Sequence, residues 1–171
     1  MIVEACRMLV GFEIIIERTA KVGLHPFTDV FEGFDRVKAV KAIFGKDTDE
    51  VLENLSVEVA RGRGYMRIND HKGSIVVASR YLKTGREVDV YLDVIHELVH
   101  IRQHREGKEL WDRQFEYIDR PTEIEAYKVA VKEARRLGMD EGEVAKYLKV
   151  EWISEDAFER FLKNVGVDPS A

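Results

Sequence analysis

The chain has 171 residues, is 45% hydrophobic, and carries a net charge of −5. This length fits one domain with a sizeable core, and an acidic balance without a dense basic patch disfavours nucleic acid as a partner. Cys6 has no second cysteine to pair with and no apolar run is long enough to span a membrane, so we expect no membrane association and a cytoplasmic protein.

Residues 1–56 are predicted to form a helical scaffold without chemistry of its own. An amphipathic helix is expected over about the first 20 residues, ending at Gly23. Thr28 could cap a second segment that runs through Val40 to Gly45, and a short helix is expected to start at Thr48 or Asp49. Charged residues make up 35% of the whole chain, which favours a protein that works at high temperature.

The hydrophobic period changes at Val57. Residues 57–70 alternate between apolar and polar and contain Gly62 and Gly64, and residues 74–79 read as a further strand. These segments predict a small antiparallel sheet directly before the next helix. A free strand edge at that place could pair with an extended peptide, or it could be an ordinary edge strand.

The pattern HELVH, residues 96–100, lies within a predicted helix over residues 87–106. His96 and His100 are one helical turn apart on one face, so both imidazoles can bind a single Zn²⁺. Glu97 projects beside them, where it can accept a proton from water bound to the metal. The pattern therefore predicts two metal ligands and a general base.

Other polar residues share this face of the helix. Asp93 and His104 lie close to the two histidines when residues are placed at about 100° intervals. His104 cannot be a third ligand together with His96, because the two are about 12 Å apart along the helix axis. We expect His104 in the wall of a cleft.

Residues 108–120 form an aromatic-rich connector that is expected either to pack onto the body of the protein or to line a substrate cleft. Pro121 then marks the start of a second helix. Thr122 is the expected N-cap of this helix, with Glu125 completing a capping box.

Glu123 is predicted to be the third metal ligand. It lies on the face of the second helix that otherwise carries small apolar residues, namely Ala126, Ala130 and Ala134. A buried carboxylate needs a cation, and the best available one is a metal held by His96 and His100. The alternative is a carboxylate favoured by the helix dipole, a role that Glu125 on the basic side fits better.

The two helices together resemble the gluzincin class of zinc metallopeptidases. HELVH is followed by PTEIEAY, which is similar to the glutamate-helix signature of that class, and the chain most resembles the small minigluzincins. The likeness covers residues 74–137. It implies a zinc-dependent endopeptidase acting on peptide or unfolded protein, with Zn²⁺ bound by His96, His100 and Glu123 and with Glu97 as general base.

One position departs from the thermolysin-like pattern. Members of that branch carry Asp four residues after the ligand glutamate, where this chain has Tyr127. Support for His96 is therefore expected to come from Asp93 or Asp119, or to be weaker than in that branch. Tyr127 or Tyr117 could instead stabilise the oxyanion.

Residues 139–171 are predicted to form two short helices with Trp152 between them. They are expected to complete the core, although in minigluzincins a segment can plug the cleft and keep the protein latent, and this tail could do so. If the tail completes the core, Trp152 is expected to be one of the core residues.

The resulting prediction is a single α+β domain over residues 1–171. It is mostly helical, with an N-terminal scaffold (1–56), a sheet followed by the two catalytic helices (57–138), and C-terminal helices (139–171). Two other functions share parts of the pattern: a latent or weakly active zinc-binding regulatory or interaction protein, and a helical interaction domain without metal.

Overall fold

The computed structural model describes residues 13–170, in which short helices and strands alternate before two long helices. The strands are β1 (Ile15–Ile16), β2 (Gly23–Pro26), β3 (Phe31–Glu32), β4 (Ser56–Ala60), β5 (Met66–Asn69) and β6 (Ser74–Ala78). The helices are α1 (Phe27–Val30), α2 (Lys38–Phe44), α3 (Thr48–Asn54), α4 (Ser79–Thr84), α5 (Glu87–Arg105), α6 (Pro121–Arg136), α7 (Glu141–Leu148) and α8 (Glu155–Val165). The predicted α+β class is confirmed.

The main sheet has the strand order β2-β4-β6-β5. The β5–β6 pair is antiparallel as predicted, whereas β4 and β6 run parallel. Strand β2 was not predicted, and it pairs antiparallel with β4. The parallel pair arises because the chain passes from β4 to the far edge of the sheet before forming β5. The chain then reverses in the β5–β6 hairpin, where Gly73 has φ +60°, and β6 pairs between β4 and β5.

The centre of the sheet is buried on both faces. Ser74 to Val77 of β6 are all buried, as expected for a strand with neighbours on both sides. In β4 only Val57 and Val59 are fully buried, with their neighbours partly exposed. Strand β5 occupies one edge of the sheet and packs against α5, which places this edge beside the histidine-bearing helix.

The prediction of one N-terminal helix ending at Gly23 is wrong for residues 13–22. These residues form β1 and a turn, and the rest of the predicted helix lies outside the described residues. Ile15 and Ile16 pair with β3 instead, since β-branched residues favour extended backbone. The second predicted segment is not one helix, because β3 interrupts it at Phe31–Glu32 and Thr28 lies inside α1; only its last part forms α2. The short third helix is present as α3.

The sheet also crosses the boundary predicted at residue 56. Strand β2 pairs with β4 along its whole length, from Gly23 opposite Val59 to Pro26 opposite Ser56. The N-terminal part is therefore a mixture of strands and short helices that is continuous with the sheet. No helix within residues 13–170 combines the length and apolar character needed to cross a membrane.

The two predicted C-terminal helices are present as α7 and α8. Leu148, Phe161 and Leu162 are buried in the main core, so this segment does complete it. Trp152 does not, because it is 61% exposed. It lies instead next to the rings of Tyr65 and Tyr117, with centroid distances of 6.2 and 6.4 Å.

Candidate metal centre

Helix α5 holds both histidines inside the protein. Almost every residue from Val88 to Ile101 is buried, including His96, Glu97 and His100, so their side chains are fixed by packing. The helix ends where Gly107 adopts a left-handed conformation at φ +73°, which glycine adopts without strain. The helix is thus buried on most of its sides.

Helix α6 starts at Pro121, which is favoured at the first helical position because it lacks an N–H to satisfy. The predicted N-cap at Thr122 is wrong, since Arg120 occupies the cap position and no side chain caps the helix. Glu125 makes no capping box. Its carboxylate accepts hydrogen bonds from Arg102 at 2.6 Å and Gln103 at 2.7 Å, which ties α6 to α5.

Close packing of the two helices brings Glu123 to the histidines. Its neighbours on the same face, Ala126, Ala130 and Ala134, are all completely buried, and their small side chains let α6 approach α5. Glu123 is itself 4% exposed. The predicted small-residue face is therefore the surface through which α6 packs.

Three ligand atoms converge between the helices. Nε2 of His96 lies 3.0 Å from Nε2 of His100, and each nitrogen lies 3.3 Å from Oε2 of Glu123. Among residues 13–170 this is the one His/Cys/Asp/Glu group with the spacing of a metal site. The convergence predicted from helical spacing is present, and its binding of a metal stays a prediction.

These separations fit a tetrahedral zinc ion. Two ligands bound tetrahedrally at about 2.0 to 2.1 Å from Zn²⁺ lie about 3.3 Å apart. The three observed separations, 3.0, 3.3 and 3.3 Å, match that edge length without rearrangement of either helix. Two nitrogens and one carboxylate oxygen are also the ligand types that zinc accepts.

Gln103 orients His100 within the site. Nδ1 of His100 lies 2.7 Å from Oε1 of Gln103, whose Nε2 donates to the carbonyl of Thr122 and to Glu125. Since both partners of that Nε2 are acceptors, Oε1 must face His100 and Nδ1 must carry the proton. In the neutral imidazole, Nε2 then keeps its lone pair for the site.

His96 has no comparable partner. Its Nδ1 is buried without a hydrogen bond to any described residue, so neither carboxylate predicted to support it does so. Asp119 instead binds Arg160 and Asn164. The ring of Tyr127 lies against His96 with 4.1 Å between centroids, which restricts the imidazole by packing alone.

Glu97 sits beside the three ligands with an unused oxygen. It is 5% exposed, and its Oε2 has no hydrogen-bond partner in the described chain. Burial raises the pKa of the Glu97 carboxyl to about 8, and the negative charges of Glu123 and Asp93 act in the same direction. A carboxylate held this way is available for proton transfer near neutral pH.

The ligands perturb one another strongly. Burial lowers the pKa of His96. For His100 the same effect is outweighed by Glu123, Glu97 and the Gln103 hydrogen bond, which raise its pKa to about 9. Burial alone would raise the pKa of Glu123, but the two imidazoles hold it well below its usual range.

The three ligands and Glu97 line a cavity of about 420 Å³, a size within the range of small-molecule sites. Three consecutive residues of the edge strand β5, Met66 to Ile68, form part of its wall. Leu110 and Trp111 of the connector also line it, so this loop both packs inward and borders the cleft. His104 does not line it, because its imidazole donates to the carbonyl of Asp70 at 2.6 Å.

Two tyrosine arrangements border the same cavity. The hydroxyls of Tyr117 and Tyr127 are 2.6 Å apart and share one hydrogen bond. Asp93 accepts hydrogen bonds from Tyr81 at 2.6 Å and from Tyr147 at 2.9 Å. Neither Tyr81 nor Tyr147 is recognisable from sequence, because they lie 12 and 54 residues from Asp93, on α4 and α7.

The sequence also places Gln103 on the polar face of α5, but its role as the partner of His100 was not predicted. On a helical wheel it falls next to His96, and it is the one side-chain amide on that polar face.

No protein-family model matches this chain, and no curated protein or solved structure shows significant similarity to it.

Proposed function

We propose that the protein is a zinc-dependent metallopeptidase of the gluzincin type that hydrolyses peptide bonds in peptides or unfolded protein. The observation that carries the proposal is the tetrahedral spacing of His96, His100 and Glu123 with Glu97 beside them in a cavity. Three protein ligands leave one coordination position of zinc for water or substrate, which distinguishes a catalytic from a structural site.

The edge of the sheet supports a peptide as substrate. Strand β5 has β6 on one side and no strand on the other within the described chain, and Met66 to Ile68 border the cavity. Free backbone groups on such an edge can pair with an extended segment. An extended peptide bound there would pass the metal ligands on α5.

The residues of the site have separate parts in hydrolysis. A zinc ion held by the three ligands would polarise the scissile carbonyl and acidify a water molecule. Glu97 then accepts the proton of the attacking water and passes it to the leaving amine. The buried surroundings of Glu97 favour the first of these steps, since they raise its affinity for the proton.

Tyr117 and Tyr127 are placed to stabilise the developing oxyanion. In their shared hydrogen bond one hydroxyl donates and the other accepts, so the accepting hydroxyl keeps a proton for another partner. Both side chains line the cavity. A preorganised O–H donor aimed at the carbonyl oxygen lowers the barrier to acyl transfer.

Zinc binding tests the ligand set first. Protein purified without added chelator is expected to contain about one zinc per chain by elemental analysis. Glu123→Gln should lose that zinc, whereas Glu125→Gln should keep it, because this matched change two residues along α6 retains an acceptor for Gln103. Absence of zinc from the parent protein, even after incubation with excess metal, would contradict the proposal.

Cleavage of an unfolded protein tests the reaction. The zinc-loaded parent should degrade reduced casein and stop when chelator is added. Glu97→Gln should bind zinc normally but lose nearly all cleavage, while Glu106→Gln at the exposed end of the same helix should cleave at the parental rate. A Glu97→Gln protein as active as the parent would exclude this residue as the base.

A latent zinc protein is the second candidate, and one observation favours it. The segment between α7 and α8 contributes Lys149, Val150 and Trp152 to the cavity wall, so the C-terminal part narrows the approach to the ligands. Zinc content with no cleavage in the parent, but cleavage after Trp152→Ala, would support latency. Cleavage by the parent itself would exclude it.

A further inference from the structure

Asp93 is a carboxylate in the cavity wall that has no cationic partner in the described part of the chain. It lies on α5 one turn before Glu97 and lines the same cavity. Its two oxygens accept hydrogen bonds from the neutral hydroxyls of Tyr81 and Tyr147. It forms no ion pair within the described chain.

The tyrosines turn this carboxylate into a cluster of acceptors. A phenol has one proton, and each of the two tyrosines gives it to Asp93. What remains for a ligand is the lone pairs of two phenolic and two carboxylate oxygens. A ligand with several N–H donors and a positive charge complements such a cluster, whereas a carbonyl or an anion does not.

Other charged groups around the cavity leave this complementarity intact. Asp89, which lines the cavity one turn earlier on α5, is held by Arg86 through two hydrogen bonds of 2.7 and 2.9 Å. The cationic side chains that line the cavity are exposed and bordered by solvent; they are Arg67, Lys146 and Lys149. Lys149 is also paired with Glu155 at 3.0 Å. Among residues 13–170, Asp93 thus has no cationic partner that would compete with a ligand.

We propose that Asp93, with the hydroxyls of Tyr81 and Tyr147, is a specificity subsite for an organic cation of the substrate. The cation is a lysine or arginine side chain next to the cleaved bond, or a free terminal amine. The inference rests on the proposed peptidase function. Asp93 and Glu97 are about 6 Å apart along the helix axis, which an extended lysine side chain can bridge.

The protonation state of Asp93 agrees with this role. Burial raises its pKa to about 6 and the hydrogen bonds from the two tyrosines oppose the shift. The carboxylate is therefore largely ionised at pH 7.5. A bound cation would stabilise the ionised form further.

Matched fluorogenic peptides test the subsite. One series carries lysine, acetyl-lysine or norleucine at each of the two positions next to the scissile bond, and each peptide is made with a free and an acetylated N-terminus. The zinc-loaded parent should prefer lysine at one position by about tenfold to hundredfold in kcat/KM, the range expected for a charged hydrogen bond. A preference that follows the free N-terminus identifies the terminal amine as the cation instead.

Three variants separate recognition from a structural role. Asp93→Asn should abolish the preference, so that the lysine and norleucine peptides are cleaved with the same kcat/KM. Asp89→Asn, a matched loss of charge in the same wall, should keep the preference, and Tyr147→Phe should keep it in weakened form because the carboxylate remains. If Asp93→Asn lowers kcat/KM equally for all peptides, the cluster is structural and the inference is wrong.

A binding measurement keeps the test independent of catalysis. Fluorescence anisotropy with the lysine and norleucine peptides is measured on zinc-loaded Glu97→Gln and on the same protein carrying Asp93→Asn. Tighter binding of the lysine peptide, lost in the double variant, supports the subsite even when the parent cleaves nothing. Equal binding of both peptides by Glu97→Gln overturns it and leaves the peptidase proposal standing if the parent cleaves casein.

Discussion

The side chain of Gln103 accepts a hydrogen bond of 2.7 Å from Nδ1 of His100, one turn before it on the same helix. Its own amide donates across the interface to Thr122 and Glu125 of α6. Gln103 is completely buried, so water does not replace these bonds. One side chain therefore orients the second histidine and joins its helix to the helix of Glu123.

Gln103→Ala should weaken zinc binding without removing a ligand. Loss of a group that orients a metal-bound histidine typically lowers metal affinity by about 10- to 100-fold. The zinc dissociation constant, measured by competition with a chromophoric chelator, reports the change. Gln114→Ala in the exposed connector is the control and should bind zinc as the parent does; equal affinities of the two variants would refute the orienting role.

Zinc affinity should rise with pH. In the metal-free protein the pKa of His100 is raised to about 9, mainly because Glu123 and its neighbours outweigh the effect of burial. Zinc must displace that proton, so its apparent affinity should increase by about tenfold per pH unit up to about pH 9. Calorimetry in buffers of different ionisation enthalpy should detect the released proton, and an affinity that stays flat from pH 6.5 to 8.5 would contradict the expectation.

The stability of the metal-free protein should fall as the pH rises, whereas the zinc affinity rises. The pKa of His100 is raised from 6.5 to about 9 on folding, so its contribution is fully present below pH 6.5 and is lost as the pH rises through 9. The pKa of Glu97 is likewise raised on folding, from 4.5 to about 8, so its contribution to stability is also lost as the pH rises through 8. The melting temperature of chelator-treated protein should therefore fall between pH 6.5 and 9, and the fall should be smaller in Glu97→Gln.

Removal of the metal should destabilise the protein. Zinc present at 100 times its dissociation constant stabilises the folded state by about 2.7 kcal/mol, which corresponds to about 5 to 10 °C for a chain of this length. Differential scanning fluorimetry with and without chelator measures the shift. Glu123→Gln should melt at the same temperature in both conditions, and a parent protein insensitive to chelator would argue against a folded-state metal site.

Gly85→Ala should disturb the wall that carries Asp93. A Cβ at residue 85 would lie 2.6 Å from Cε2 of Tyr81 and 2.8 Å from its backbone oxygen, closer than van der Waals contact allows. We expect a loss of about 1 to 3 kcal/mol in the free energy of unfolding, measured by urea denaturation. Gly142→Ala in α7 is the control, since the nearest atom there is 3.3 Å away and alanine favours a helix.

Local periodicity accounts for much of what the sequence predicted. The helix of residues 87–106, the second helix carrying Glu123, and the C-terminal pair all have apolar residues at helical spacing, and each is present within a few residues of its predicted bounds. The N-terminal part was predicted less well. Ile15 and Ile16 fit either a helix or a strand, and pairing with the distant β3 decides between them.

The sequence by itself determined the residues that could bind a metal, because ligands one turn apart on a helix share a face whatever the rest of the chain does. It also determined that Glu123 would be buried, since its face of α6 is made of alanines. Only the tertiary structure decided how these groups are supported. Gln103 lies beside His100, two tyrosines bind Asp93, and Nδ1 of His96 has no partner among residues 13–170. Such contacts join residues from separate elements, and their geometry depends on how the helices pack, which no local pattern encodes.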